Sequence, residues 1–162
     1  MNHAGYRPPS PRLMARLDRV ADLYRLATDP RYFGFDEVPA ERPLMFVGNH
    51  TLFGIFDVGL LYLELWRRHR LVLRGLADHG HRVIPLWWPL LRYFGAVDGT
   101  RENCRQLLVD GECVLIFPGG AREVFRKRGE KYRLSWSGRT GFARLAIEAG
   151  ATVVPFAMIG VD

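Results

Sequence analysis

Asn49-His50 and Asp57 are the residues of this chain best suited to chemistry. They lie in the run Gly48-Asn49-His50-Thr51-Leu52-Phe53-Gly54-Ile55-Phe56-Asp57, between the apolar stretch Leu44-Met45-Phe46-Val47 and the apolar segment Val58 to Trp66. The first stretch reads as a buried strand and the second as a helix, so a histidine and a carboxylate stand where a strand hands over to a helix. In α/β proteins ligands bind in the crevice at the carboxyl ends of strands. An imidazole there can take a proton from a hydroxyl, and a carboxylate on its other nitrogen fixes the tautomer and stabilises the imidazolium. Spacing constrains that pairing, because six residues separate His50 from Asp57. Positions seven apart on one regular helix are about 10 Å apart along its axis, beyond hydrogen-bond reach. The pair therefore requires a non-helical stretch pivoting at Gly54, with His50 in the loop and Asp57 near the helix start. Glu64 and Glu102 are the alternative carboxylates.

A second stretch with chemical potential is Phe117-Pro118-Gly119-Gly120-Ala121-Arg122-Glu123, which follows the strand-like run Cys113 to Phe117. Paired glycines let a backbone approach a ligand closely, and the Arg122 fork suits a phosphate or carboxylate. Arg122, Arg126, Lys127, Arg128, Lys131, Arg133, Arg139 and Arg144 continue a basic run. That run is either a solvated face or a landing surface for the phosphates of coenzyme A or of lipid headgroups. Asp78-His79-Gly80-His81 raises a metal site, but no third ligand lies at a supporting spacing, so it reads as a pocket-lining loop. No Gly-x-Ser-x-Gly elbow is present, and Ser135 and Ser137 lie in a polar, basic stretch, which argues against a serine nucleophile.

These residues need elements to hold them, and 162 residues, 48% of them hydrophobic, suffice for one globular domain with a real core. Leu13, Leu17, Val20 and Tyr24 recur at helical spacing and predict an amphipathic helix, followed by a loop with Pro30, Pro39 and Pro43. Leu71 to Leu76 predicts a second strand, and Thr152 to Ile159 a fourth, with helices from Thr100 to near Gly111 and from Arg139 to Gly150. Between them, Val83 to Phe94 holds Trp87, Trp88 and Tyr93 and is interrupted by Pro85 and Pro89. It is the best candidate for a lipid-facing patch, with ordinary core as the alternative. No run reaches the roughly 18 apolar residues of a membrane span. The net charge of +6 favours an anionic partner. The aromatic cluster lies apart from the basic run instead of interleaving with it, which favours lipid over nucleic acid. Cys104 and Cys113 read as buried free thiols, fitting a reducing compartment.

Taken together, four blocks resemble the phospholipid/glycerol acyltransferase family in its broad sense. Asn49-His50 with Asp57 resembles the first block, with its catalytic histidine and aspartate. Gly95 to Asn103 resembles the second, with Arg101 at an acceptor-binding position and Glu102 and Asn103 beside it. Phe117 to Glu123 is similar to the third, and Val154-Pro155 to the fourth. The blocks run from residue 48 to residue 156, about two thirds of the chain. Two departures stand out: the His-to-Asp gap is six residues where the family commonly has four, and Pro-Gly-Gly-Ala-Arg-Glu replaces Pro-Glu-Gly-Thr-Arg. The latter looks more like the branch that acylates neutral acceptors, the diacylglycerol acyltransferases and related ester synthases.

The resemblance implies an α/β fold, a mixed, largely parallel sheet flanked by helices and glycerol-phosphate acyltransferase-like. The apolar run 152–159, with nothing after it to cover it, reads as a domain lacking its C-terminal part. Residues 1–43 are expected to form an N-terminal amphipathic helix and linker, and residues 44–162 the acyltransferase domain. The implied reaction moves a fatty acyl group from a thioester, carried by coenzyme A or acyl carrier protein, to a lipid hydroxyl, without a metal or other cofactor. His50 is the implied base and Asp57 its partner. Asn49, Arg101, Glu102, Asn103, Phe117, Pro118, Gly119, Gly120, Arg122, Glu123 and Pro155 are the implied substrate-binding set. A peripheral position on the cytoplasmic side of a membrane follows, with no nucleic acid partner. A lysophosphatidate-type acyltransferase and a non-catalytic basic membrane-binding module are the alternatives.

Overall fold

The structure is a computed structural model that describes residues 9–51, 54–125 and 133–160, with side chains of the second helix from Val58 onward. Five strands, β1 (Leu44–Gly48), β2 (Leu73–Ala77), β3 (Val97–Asp98), β4 (Cys113–Ile116) and β5 (Thr152–Phe156), form one sheet in the order β3-β2-β4-β1-β5. Every ladder is parallel, with Leu44 opposite both Cys113 and Thr152 and Val47 opposite both Ile116 and Pro155. The expectation of an α/β fold thus holds, but among the described residues the sheet is wholly parallel where a mixed, largely parallel one was expected. All strand carboxyl ends consequently meet at one edge.

Alternation along β1 divides the core in two. Leu44 and Phe46 point to a cluster with Met14, Tyr62, Leu63, Leu65, Trp66, Leu73, Cys113 and Leu115, beneath α1 (Pro11–Thr28) and α2 (Gly54–His69). Met45 and Val47 point the other way, to Val97, Cys104, Leu107, Leu108, Val114, Leu145 and Ala146, beneath α4 (Arg101–Val109) and α6 (Gly141–Ala149). A strand buried on both faces must be apolar at every position, which is why β1 reads as a continuous apolar run. The two cysteines are buried free thiols, one in each cluster. Burial pushes the Cys104 thiol up to about 11 and Cys113 up as well, so both stay protonated.

α1 begins at Ser10, whose hydroxyl accepts from the Leu13 amide at 3.2 Å, with Pro11 at the first helical position. Its packed face is Met14, Leu17 and Ala21, whereas Val20, Leu23 and Leu26 are exposed. The expected stripe through Val20 is therefore rotated, because Met14 rather than Leu13 enters the core. Arg25 ties the helix down through Asp18 at 2.7 Å and Asp22 at 2.9 Å, and approaches the buried Glu64 of α2 at 4.0 Å. Burial works against the Arg25 charge, but the hydrogen bonds it donates to Asp18 and Asp22 more than offset this and raise its pKa.

Two elements differ from the sequence reading. β3 lies inside the block Gly95 to Asn103, where the sequence reading has no strand, and its Val97 and Asp98 pair with Leu76 and Ala77. The aromatic segment forms a short helix, α3 (Trp87–Tyr93), after a 3₁₀ turn at His79–Val83. Pro89 is tolerated there because the first turn of a helix needs no N–H from it. This segment is not core: Val83 is 81% exposed and Leu86 86%, with Ile84, Leu90 and Tyr93 also exposed.

Candidate active site

His50 emerges just past the carboxyl end of β1, and His50 and Thr51 are non-helical, with α2 starting at Gly54. Asp57 stands in the first turn of α2, and its side chain, with Leu52 and Phe53, lies outside the described residues. The His50 Nδ1 atom is 2.9 Å from the Thr51 carbonyl oxygen. A carbonyl only accepts, so this bond puts the ring proton on Nδ1 and the lone pair on Nε2. The ring lies 4.4 Å from that of Phe117, which in turn meets Phe156 edge to face at 5.9 Å. Gly48 makes room for Phe156, since a Cβ there would overlap the ring.

The turn after β4 comes next to His50 because β4 is the neighbour of β1 in the sheet. Gly120 has φ 56° and ψ −144°, a conformation open essentially to glycine alone. Its amide closes the turn on the Phe117 carbonyl at 3.0 Å. Arg139 clamps the outside of the turn, donating to the carbonyls of Pro118 at 3.0 Å and Gly119 at 3.2 Å. The short helix α5 (Ala121–Val124) then folds Glu123 back beneath Gly119. There the Glu123 carboxylate accepts from the His50 amide at 3.1 Å and from the Ser135 amide at 3.0 Å, while only 1% exposed.

Several expected substrate-binding residues have other work in this structure. Asn49 spends its amide on the Met158 backbone, donating to the carbonyl and accepting from the N–H, both at 2.8 Å, which ties the end of β5 to the His50 loop. Asn103 belongs to the start of α4: its amide N–H is capped by Thr100 Oγ1 at 3.1 Å, and its side chain donates to the Asp98 carbonyl at 3.0 Å. Arg101 is exposed and pairs with Glu148 of α6 at 2.7 Å, with Glu102 exposed beside it. Their helix follows β3, three strand positions from β1, a lateral offset of about 14 Å from the His50 strand. Pro118 and Gly119 are buried in the turn, Arg122 is exposed on α5, and Pro155 occupies an edge-strand position that tolerates its missing N–H. Glu64, an alternative partner for His50, is held by Arg68 at 2.5 Å and approached by Arg25.

In the His79–His81 turn, Trp87 Nε1 donates to His81 Nδ1 at 3.0 Å, and among the described residues no cluster of three or more His, Cys, Asp or Glu is placed to hold a metal ion. Arg126, Lys127, Arg128 and Lys131 of the basic run lie outside the described residues. Sequence reasoning passed over Thr51, which is wholly buried and whose carbonyl sets the imidazole tautomer. A backbone carbonyl leaves no mark on residue type, so no signal for it existed.

Fold and site together define a parallel α/β domain that presents an imidazole at the end of an interior strand, beside an aromatic wall and a glycine turn. A family model described as Acyltransferase matches residues 30–159, and the chain belongs to that family. It is 33% identical over 172 residues to Phytyl ester synthase 1, chloroplastic, of Arabidopsis thaliana, covering 96% of this chain and 24% of that protein. It is likewise 33% identical over 122 residues to the DGAT1/2-independent enzyme synthesizing storage lipids of Bos taurus, covering 75% of this chain and 36% of that protein. These relatives are consistent with the diacylglycerol acyltransferase-like branch that the Pro-Gly-Gly-Ala-Arg-Glu block resembles. No solved structure matches the chain. The chain therefore spans about a quarter to a third of the length of these relatives.

Proposed function

We propose that this chain is an O-acyltransferase that moves a fatty acyl group from an acyl thioester, acyl-CoA or acyl carrier protein, to the hydroxyl of an uncharged lipid alcohol. The observation that carries this reading is the His50 Nδ1 bond to the Thr51 carbonyl, which leaves Nε2 as the basic nitrogen. In the reaction Nε2 takes the hydroxyl proton as the oxygen attacks the thioester carbon. The C–O bond forms, the C–S bond breaks as the tetrahedral intermediate collapses, and the imidazolium returns the proton to the departing thiolate. Asp57, in the first turn of α2, is assigned to stabilising the imidazolium, with Thr51 holding the tautomer. The Gly120 amide is engaged within the turn, so oxyanion stabilisation falls to the Gly119 amide and neighbouring donors. Arg122, exposed on α5 just past the glycine turn, is assigned to anionic parts of the donor.

The neutral acceptor is favoured by the Pro-Gly-Gly block and by relatives named as a phytyl ester synthase and as an enzyme synthesizing storage lipids. We place the protein peripherally on the cytoplasmic side of a membrane. The exposed apolar residues around α3 and the net charge of +6 support that location. Among the described residues no helix is long and apolar enough to cross a membrane.

The test is purified protein with labelled acyl-CoA, and separately acyl carrier protein, against phytol, mono- and diacylglycerol and lysophosphatidate. Ester on the uncharged alcohols that disappears in His50→Ala is expected. Ester on lysophosphatidate alone would overturn the acceptor class, and turnover unchanged in His50→Ala would overturn the mechanism. Liposome binding without turnover on any acceptor would instead make the chain a non-catalytic membrane module.

A further inference from the structure

The geometry points to Glu123 as a positioning residue for His50: a buried carboxylate clasp that joins the His50 main chain to the Ser135 main chain and thereby fixes where the imidazole stands. The two amides it accepts from lie 73 and 12 residues away in sequence, at 3.1 Å and 3.0 Å, one on each carboxylate oxygen. A carboxylate taken from water is costly unless its oxygens are satisfied, so a side chain only 1% exposed holds both donors firmly. The imidazole bond to Thr51 is made one residue further along the same backbone. Moving the His50 amide therefore moves both the ring and the carbonyl that orients it.

The clasp also accounts for the residue that precedes Gly120. Gly119 has no room for a Cβ, because the Glu123 side chain occupies that space. A glycine at 119 is needed to admit the carboxylate, whatever else the turn does. Among uncharged replacements glutamine is the instructive one. Its shape is retained, but one of its two terminal atoms is an NH₂ that would face a backbone N–H, donor against donor. Aspartate keeps the charge and is one methylene shorter, so it cannot span both amides from the same backbone position.

The inference rests on the transfer reading only for its kinetic arm. In the first arm, amide hydrogen exchange is followed in the full chain for wild type, Glu123→Gln and Glu123→Asp. Glu112→Gln serves as control, since Glu112 holds the buried Arg74 at 3.3 Å just before β4, at the opposite edge of the sheet. The amides of His50 and Ser135 are expected to exchange roughly tenfold faster or more in both Glu123 variants, while Met45 to Val47 in β1 keep their protection. Unchanged protection at His50 and Ser135, or a loss spread evenly through β1 and β4, would overturn the clasp. In the second arm, kcat for ester formation is expected to fall about 30-fold in Glu123→Gln with KM for acyl-CoA within about threefold, as befits a loss felt in the transition state. Glu112→Gln, compared at equal folded fraction, is expected to stay within about twofold in kcat. Equal kcat losses in the Glu123 and Glu112 variants would reduce Glu123 to ordinary structural support. If the wild-type chain forms no ester, the transfer reading fails, and the exchange arm still decides the role of Glu123.

Discussion

Two excursions leave the same edge of the sheet and are finished in opposite ways. The turn after β4 folds inward: Gly120 closes on Phe117, Arg139 covers two carbonyls, and Glu123 is buried against two amides. The excursion after β2 turns outward. Its polar groups are tied up locally, Arg82 on Asp98 and Trp87 on His81, while Val83, Ile84, Leu86, Leu90 and Tyr93 face solvent. A region whose hydrogen-bonding groups are spent on the protein sets geometry, whereas one whose apolar groups are left unspent meets another phase. Because β2 and β1 are separated only by β4, the outward surface lies beside the inward site.

The largest effect that tests this contrast comes from the inward side. His50→Ala is expected to lower kcat by about 10³-fold, within the usual range for a general base, with the melting temperature little changed; a loss below tenfold would remove His50 from the chemistry. Next, Gly119→Ala forces a methyl group against Glu123 and is expected to destabilise the fold by about 1–3 kcal/mol, as overpacking does. Urea titration checks this, and a neutral result would mean that the turn is less constrained than its contacts imply. On the outward side, Leu86→Glu removes an apolar group worth about 1.5–3 kcal/mol on full burial, so liposome affinity should drop roughly 10- to 100-fold. Its urea midpoint should remain at the wild-type value, and equal binding by the variant would detach this surface from lipid.

The smallest effect concerns Cys104. Its folded pKa of about 11 lies above the unfolded value of 9.0, so the unfolded chain gives up the proton first. The thiol's contribution to stability is therefore complete below pH 9 and is lost as pH rises through about 11. Cys104→Ala should flatten that part of the pH–stability curve, while alkylation of the native protein at neutral pH should be slow.

Legibility in the sequence followed the reach of the interactions. β1 and β4 were readable because a strand covered on both faces must be apolar throughout, and the helix start at Thr100 because the bond that caps it spans only three residues. β3 escaped because two residues cannot carry a period, and its pairing with β2 is made across a long excursion. At the site, His50, Phe117 and the glycine pair were visible by type. The destinations of Glu123 and Asn49 were not, since their partners are 73 and 109 residues distant. The aromatic segment showed the reverse failing: composition announced tryptophans, but only the surrounding fold decides whether they are covered.

The paired hydrogen bonds between Asn49 and Met158 have a practical corollary for anyone handling this protein. They hold the backbone at Met158 next to the residue preceding the histidine. A fluorophore on Met158→Cys would therefore sit beside the residue that precedes His50 and report on changes there.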